Sequence, residues 1–428
     1  MKQKSKKKIL FFIPRYLKLS DPTSVKFRHI LPDLSGENEI HVLCFYRGTV
    51  QNKVSEDNLT IHQIPYSKMG RKIFVKSGVK IIQNGKKQEY KSSSLRRLSG
   101  KLKGWALFFP DPLIVEYFSI KRALQSLISE HDFDIVVGSA NPHTTQMFAS
   151  YAKKIKPGII WIQDIGDPFK SPYDRYLTVK ILSFLGFLYE KKCAKYIDYL
   201  IVTNEATKKY YVRRYKPYRE DNVAIHRHGA VILDQNKERP MIKRNDKLPL
   251  KLIYAGTFYD GFREPYHLYS ALKKLKDDFE LDLFGSIPYR HLPQDNQGNI
   301  FYKGSLSYKD LQERFGSSDI IVYIDNAYGL QTPGKSYEVL CKYKPVLCIY
   351  ENDNSPILEL YRKIPFVFMC KNNENEIITA LKDLKEKISH GQVDFEYDIS
   401  LFSWEKRVSE YDNILDTFYG KNGDRQTE

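Results

Sequence analysis

The 428-residue sequence has no long apolar run. Its most hydrophobic stretches, such as Ile181-Leu-Ser-Phe-Leu-Gly-Phe-Leu-Tyr189, fall well short of the ~20 residues a transmembrane helix requires, so an integral membrane protein is not expected. Cysteine is scarce as well. Cys44, Cys193, Cys341, Cys348 and Cys370 form no Cys-x-x-Cys pair, and their odd number and wide spacing suit neither a zinc ribbon nor a disulfide framework. Buried free thiols are the expectation. The lysine-rich start runs directly into Ile9-Leu-Phe-Phe-Ile13 and Pro14, too short for a secretory signal, which predicts a cytoplasmic protein. No histidine pair has the local spacing of a metal site, and neither a metal nor a cofactor is expected.

Apolar residues make up 42% of the chain and aromatic ones 14%, ample for ordinary cores, and the length suits two or three domains of ~150 residues. Charge is concentrated. Of a formal +17, the lysines at 2, 4, 6, 7 and 8 supply five, and the segment from Lys68 to Lys103 carries twelve lysines and arginines against Glu89. The remainder is nearly neutral, which fits one local anionic partner better than a nucleic-acid groove. That segment contains Lys86, Lys87, Arg96, Arg97, Lys101 and Lys103 and closes on Trp105, Leu107, Phe108 and Phe109. Such a mixture suits docking on an anionic membrane, at the inner face of the plasma membrane for a cytoplasmic protein. A solvated excursion whose aromatic tail packs on its own domain has the same composition.

Short apolar runs alternate with helical patterns along nearly the whole chain. In the first half, strands are predicted at Lys8–Ile13, Ile40–Phe45, Ile135–Val137, Gly158–Trp161, Tyr199–Val202 and Val223–His226, with helices near 112–129, 143–155, 177–195 and 205–214. The polar stretch from Asp234 to Pro249 reads as a linker. Beyond it come strands at Lys251–Tyr254, Glu280–Phe284, Ile300–Tyr302, Ile320–Ile324, Val346–Ile349 and Phe366–Met369, with helices near 264–276, 308–315, 335–342, 355–362 and 374–388. The prediction is an α/β protein of two Rossmann-like, doubly wound domains: 1–235, with a basic insertion at 66–105, and 245–400. A last helix at 402–418 has no strand after it and is expected to return to the first domain. In such sheets ligands bind beyond the carboxyl ends of the strands, and two facing domains form a cleft between those ends.

The most informative segment is Gly329-Leu-Gln-Thr-Pro-Gly-Lys-Ser-Tyr-Glu338, which follows a strand, crosses a turn at Thr332-Pro333-Gly334 and enters a helix at Lys335. Free N–H groups at a helix start attract phosphate, and a first-turn lysine adds a full charge. Glu338, three residues on, has two readings: a carboxylate for the hydroxyls of a ribose, or an N3 cap of its own helix.

These residues resemble the donor-site motif of glycosyltransferase family 4, retaining enzymes of GT-B fold, here Pro333-Gly-Lys-Ser-Tyr-Glu338 with Tyr343-Lys-Pro-Val346. Phe109-Pro-Asp-Pro112 looks like the family's Pro-Asp-Pro segment, Gly138-Ser-Ala-Asn-Pro-His143 like its Ser-x-x-Pro loop, and Trp161-Ile-Gln-Asp-Ile-Gly-Asp-Pro-Phe169 like its Asp-Phe-Arg-Asp-Pro-Trp signature. Tyr254-Ala-Gly256-Thr257 with Arg263 resembles the loop whose arginine contacts the donor diphosphate. The sequence also departs from the family: Leu330 stands where many members carry a first glutamate, Gly166 replaces an arginine and Phe169 a tryptophan.

The resemblance implies transfer from a nucleotide diphosphate-sugar, which is a substrate and not a cofactor, to a lipid-linked or growing glycan in surface polysaccharide assembly. Arg263 and Lys335 would neutralise the departing diphosphate without a metal. Asp167 would orient or deprotonate the acceptor hydroxyl, or else cap a turn before Pro168. His143 would contact sugar or diphosphate, or stand at a surface helix start. His226 and His228 read as structural. Two other functions fit the pattern: a nucleotide-sugar epimerase of the same shape, and a catalytically silent sugar-nucleotide or polyanion-binding protein.

Overall fold

The computed structural model describes residues 6–18, 21–75, 108–169, 177–232, 249–293, 298–328, 330 and 332–427. The chain folds as two compact units, one made of Met1–Arg227 with Arg407–Glu428 and the other of His228–Lys406.

The first unit is built on β1 (Lys8–Phe12), β2 (Glu39–Tyr46), β3 (Asn52–Glu56), β4 (Leu59–Pro65), β5 (Ile135–Ala140), β6 (Ile160–Ile165), β7 (Tyr199–Val202) and β8 (Val223–Ile225). They form one sheet in the order β3-β4-β2-β1-β5-β6-β7-β8. Every pairing is parallel except the β3–β4 hairpin, whose turn holds Asp57 at φ 49°. Helices α1 (Pro22–Leu34), α2 (Tyr117–Glu130), α3 (Ala149–Ile155), α4 (Leu177–Cys193) and α5 (Glu205–Arg214) connect the strands. Strands buried on both faces read as apolar runs, which is why β1 and β5 were legible.

Three features of this unit depart from expectation. Strand β6 continues four residues past Trp161, because its polar residues are satisfied in the interior. Trp161 Nε1 donates to Gln163 Oε1 (3.0 Å), Gln163 Nε2 to Thr145 Oγ1 (3.3 Å), and Lys26 Nζ and Tyr411 Oη to Asp164 Oδ2 (2.6 and 3.1 Å). The β3–β4 hairpin carries mostly exposed or half-exposed residues and lacks the apolar run that marks a buried strand. Helix α1 was not anticipated either, although Phe27, Ile30, Leu31 and Leu34 hold its buried face at helical spacing and Asp21 caps its start.

The second unit is a six-stranded, all-parallel sheet of β9 (Leu250–Ala255), β10 (Phe279–Phe284), β11 (Ile300–Gly304), β12 (Ile320–Ile324), β13 (Val346–Tyr350) and β14 (Val367–Lys371), ordered β11-β10-β9-β12-β13-β14. Its helices are α6 (Tyr266–Lys274), α7 (Tyr308–Ser317), α8 (Lys335–Leu340), the single turn Leu358–Tyr361, and α9 (Glu374–Ser389). Helix α8 has six residues, shorter than the stretch expected at 335–342.

The last helix, α10 (Trp404–Thr427), joins the first unit from Arg407 onwards. There Phe418 stacks on Tyr199 with ring centroids 4.2 Å apart, Tyr411 is buried beside Phe11 and Phe27, and Lys7 pairs with Asp416. All five cysteines are free and buried.

Candidate functional site

A parallel sheet whose strand order reverses leaves a crevice at the carboxyl ends of the two strands beside the reversal. In the second unit these strands are β9 and β12. Beyond β9 the chain turns through Gly256, whose N–H donates to Phe284 O (2.9 Å). Gly285 is at φ +123°, and a Cβ there would lie 2.1 Å from Gly256 O, so only glycine lets the loops after β9 and β10 approach backbone to backbone. Tyr254 Oη donates to Thr257 O (3.3 Å), and Tyr259 and Arg263 exchange two backbone hydrogen bonds of 2.9 Å around Gly261. That small hairpin presents Arg263. One guanidinium nitrogen, Nη2, donates to the buried Asn326, which follows β12, whereas the buried Nε makes no hydrogen bond.

Across the crevice, α8 begins at Lys335, whose Nζ donates to Ala255 O (2.7 Å). The residue as a whole is exposed, yet the protein around its ammonium lowers its pKa through desolvation. Glu338 Oε1 accepts from Gln312 Nε2 (3.2 Å), with Lys342 Nζ 3.9 Å away and itself bound to Gln312 Oε1 (2.5 Å). The N3-cap role is thus not taken: with Gly334 as N-cap, Glu338 is the fourth helical residue, and its carboxylate meets Gln312 of α7. Tyr254, Arg263, Pro333, Lys335 and Glu338 line one recess in this unit. Gly256, Thr257, Thr332 and Gly334 stand in the loops that frame it. A Cβ on Gly334 would come within 3.0 Å of the His228 ring, so close approach and not backbone conformation calls for glycine there.

The strand order of the first unit reverses between β1 and β5. Beyond β5, Asn141, at φ +75°, donates from Nδ2 to Asp167 Oδ2 (3.4 Å). Desolvation raises the Asp167 carboxyl above its ordinary range, and nearby Asp21 adds to the rise. His143 is only half-buried, yet desolvation pushes its imidazole down to about 4. Its Nδ1 accepts from Gln146 Nε2 (3.0 Å), and its ring meets Phe169 edge-on at 4.8 Å. Asn141 and Phe169 therefore tie the two predicted catalytic residues into one loop cluster. Asp111 anchors that cluster by accepting from Thr144 N (2.8 Å) and Leu113 N (2.9 Å), which gives the Pro-Asp-Pro segment a positional role. Beyond β1, Arg15 lies 3.5 Å from Asp21 on the same rim. Sequence reasoning missed Arg15, because it stands in no motif and only the sheet order brings it here.

Lys86, Lys87, Arg96, Arg97, Lys101, Lys103 and Trp105 lie outside the described residues. His226 Nε2 bonds Arg407 O (2.9 Å), and His228 packs edge-on against Trp404 (4.9 Å). Asp132-Phe-Asp134 has the Asp-x-Asp spacing of metal-dependent transferases, which corrects the reading that the sequence holds no such triplet. It precedes β5, where Asp132 pairs with Lys156 (2.5 Å) and Asp134 accepts from Lys8 N (2.8 Å). Histidines distant in sequence do meet: His41, His62 and His131 each offer a nitrogen within 4.8 Å of the others. Local spacing had given no sign of this cluster.

No family model and no curated protein matches the sequence. Solved structures do match. Sucrose-phosphate synthase from Thermosynechococcus elongatus gives a TM-score of 0.62 at 10% identity, over 97% of this chain and 100% of that one. HepE from Anabaena, in complex with UDP and glucose, gives 0.59 at 12%, over 96% and 100%. WaaG, a glycosyltransferase involved in lipopolysaccharide biosynthesis, gives 0.55 at 13%, over 94% and 98%. At these identities the likeness is one of fold. With two sheets that are parallel apart from the β3–β4 hairpin, the chain has the GT-B fold of two Rossmann-like units that the sequence predicted.

Proposed function

We propose that the chain is a retaining, metal-independent glycosyltransferase of the family 4 type, moving a sugar from a nucleotide diphosphate-sugar to a lipid-linked or growing glycan in surface polysaccharide assembly. The observation that carries this reading is the convergence of Arg263, Lys335 and Glu338 on one recess at the strand-order reversal of the second unit. Arg263 lines the recess as a fixed cation, one of its guanidinium nitrogens held by Asn326. Lys335 exchanges Ala255 O for a diphosphate oxygen, and Glu338 exchanges Gln312 for ribose hydroxyls. Preorganised cations of this kind stabilise charge that grows on the leaving group. Asp167, with its raised pKa, and His143, held neutral, serve the acceptor side. HepE with UDP and glucose, and WaaG in lipopolysaccharide biosynthesis, support the donor class and the pathway class by analogy of fold.

Action at the cytoplasmic face of the plasma membrane is part of the proposal. Besides the basic segment, α4 exposes Phe184, Leu185 and Leu188 (59, 42 and 44%) next to exposed Lys191, Lys192 and Lys195, an apolar face with a cationic end. The test is a panel of nucleotide-sugars with membrane extract, read as acceptor-dependent release of nucleoside diphosphate. Acceptor-independent conversion of a nucleotide-sugar to its epimer would establish the epimerase instead, and donor binding without turnover a silent binding protein.

A further inference from the structure

His41, near the start of β2, and His62, on the neighbouring β4, are 3 and 4% exposed, and His131 follows the last residue of α2. The geometry points to a transition-metal site, of the kind that takes Zn2+, formed by these three imidazoles. His41 Nδ1 stands 2.9 Å from His62 Nε2, and the His131 ring meets that of His41 at 4.5 Å. Glu39 supplies the outer carboxylate. Its Oε1 is 3.0 Å from His41 Nε2 and 2.8 Å from Lys8 Nζ. Because a carboxylate only accepts, His41 Nε2 carries the hydrogen and Nδ1 turns its lone pair towards His62. His62 Nε2 then donates to it. A bound metal takes the place of that N–H proton, which moves to His62 Nδ1. Among the described residues the His131 imidazole makes no hydrogen bond, leaving a ligand nitrogen available.

Three neutral nitrogens suit a borderline-soft divalent ion, with water as fourth ligand. Tetrahedral Zn–N bonds of ~2.0–2.1 Å separate ligand nitrogens by about 3.3 Å. The His41–His62 pair therefore opens slightly, and His131, part-exposed at the helix end, turns inward. Burial holds all three imidazoles below their ordinary range, in the ligating neutral form. The surrounding charges divide: Lys8 and Lys53 oppose a cation, Glu39 and Glu130 favour it.

The site lies near the amino ends of the strands, away from the rim where Asp167 and His143 sit. It would clamp β2, β4 and the end of α2 together, and it stands independently of the proposed transfer reaction.

The test uses the full chain without a polyhistidine tag, stripped by chelator and dialysed against Zn2+. One zinc per chain by elemental analysis, a melting temperature a few degrees higher than in chelator, and an intense tetrahedral visible spectrum with Co2+ are expected. His131→Ala, at the part-exposed position, should abolish the cobalt band and weaken zinc at least tenfold with far-UV circular dichroism unchanged; Glu39→Gln should weaken it ~10–100-fold. Zinc at buffer level in the parent, or equal binding by His131→Ala, would overturn the proposal.

Discussion

Arg263 and Lys335 differ in what each must give up to meet a diphosphate. Asn326 fixes the guanidinium through Nη2 and so preorganises it in the recess, whereas Lys335 must release Ala255 O to meet a ligand. Arg263→Ala should therefore cost more than Lys335→Ala, about 3–4 against 2–3 kcal/mol in kcat/KM with the donor varied. An unaltered rate in either variant removes that residue from the site. Glu338→Gln should raise donor KM and spare kcat, because a ribose contact is the same in the ground and transition states. In the first unit, desolvation pushes the His143 imidazole down to about 4 in the fold, against about 6.5 when unfolded. The unfolded chain binds the extra proton between these values, so stability falls as pH drops from 6.5 towards 4, by at most about 1.4 kcal/mol per pH unit from this group. Asp167, raised by desolvation, acts in the opposite sense, its contribution being lost as pH rises through its folded value. The measurement is thus the difference between His143→Gln and the parent in urea midpoints at pH 7 and pH 5, with the variant losing less.

The strands end where loops must turn sharply, and Gly285 is the tightest of these places. Gly285→Ala should destabilise the second unit by at least about 2 kcal/mol, seen in the urea midpoint, since both its φ and its distance from Gly256 O exclude a Cβ. A midpoint equal to that of the parent would show that the loops are free to separate. In this sheet β12 and β13 were legible as apolar runs and β10 as an alternation of apolar and acidic residues, and β12 has the predicted bounds, Ile320–Ile324. Elements whose signal is dilute were not. The β3–β4 hairpin faces water along most of its length, and α1 hides four regularly spaced apolar residues among Lys26, Arg28, His29 and Pro32. In the candidate site, Lys335 and Glu338 were legible because residues three apart in one helix share a face. Arg15, Asn326 and the His41–His62–His131 cluster were not, because strand order and not sequence spacing brings them to their partners.

At the scale of the whole molecule, the metal dependence of turnover, net charge and exposed apolar surface are the properties to test. If protein cations alone meet the diphosphate, turnover well below the melting transition should be equal in chelator and in added magnesium. Rescue of lost turnover by magnesium or manganese would speak for a metal-assisted transferase. Among the described residues no helix is long and apolar enough to cross a membrane. Each lysine or arginine close to an anionic surface contributes about 1 kcal/mol, and the segment from Lys68 to Lys103 has a net charge of +11. The apolar side chains of α4 add a part that salt does not screen. Replacing Lys86, Lys87, Arg96, Arg97, Lys101 and Lys103 by glutamine should abolish the salt-sensitive part of binding to anionic vesicles. Changing Phe184, Leu185 and Leu188 to serine should remove the part that persists in high salt. Donor binding, carried by residues of the second unit, should survive both sets of changes, and co-sedimentation of both variants equal to that of the parent would refute membrane docking.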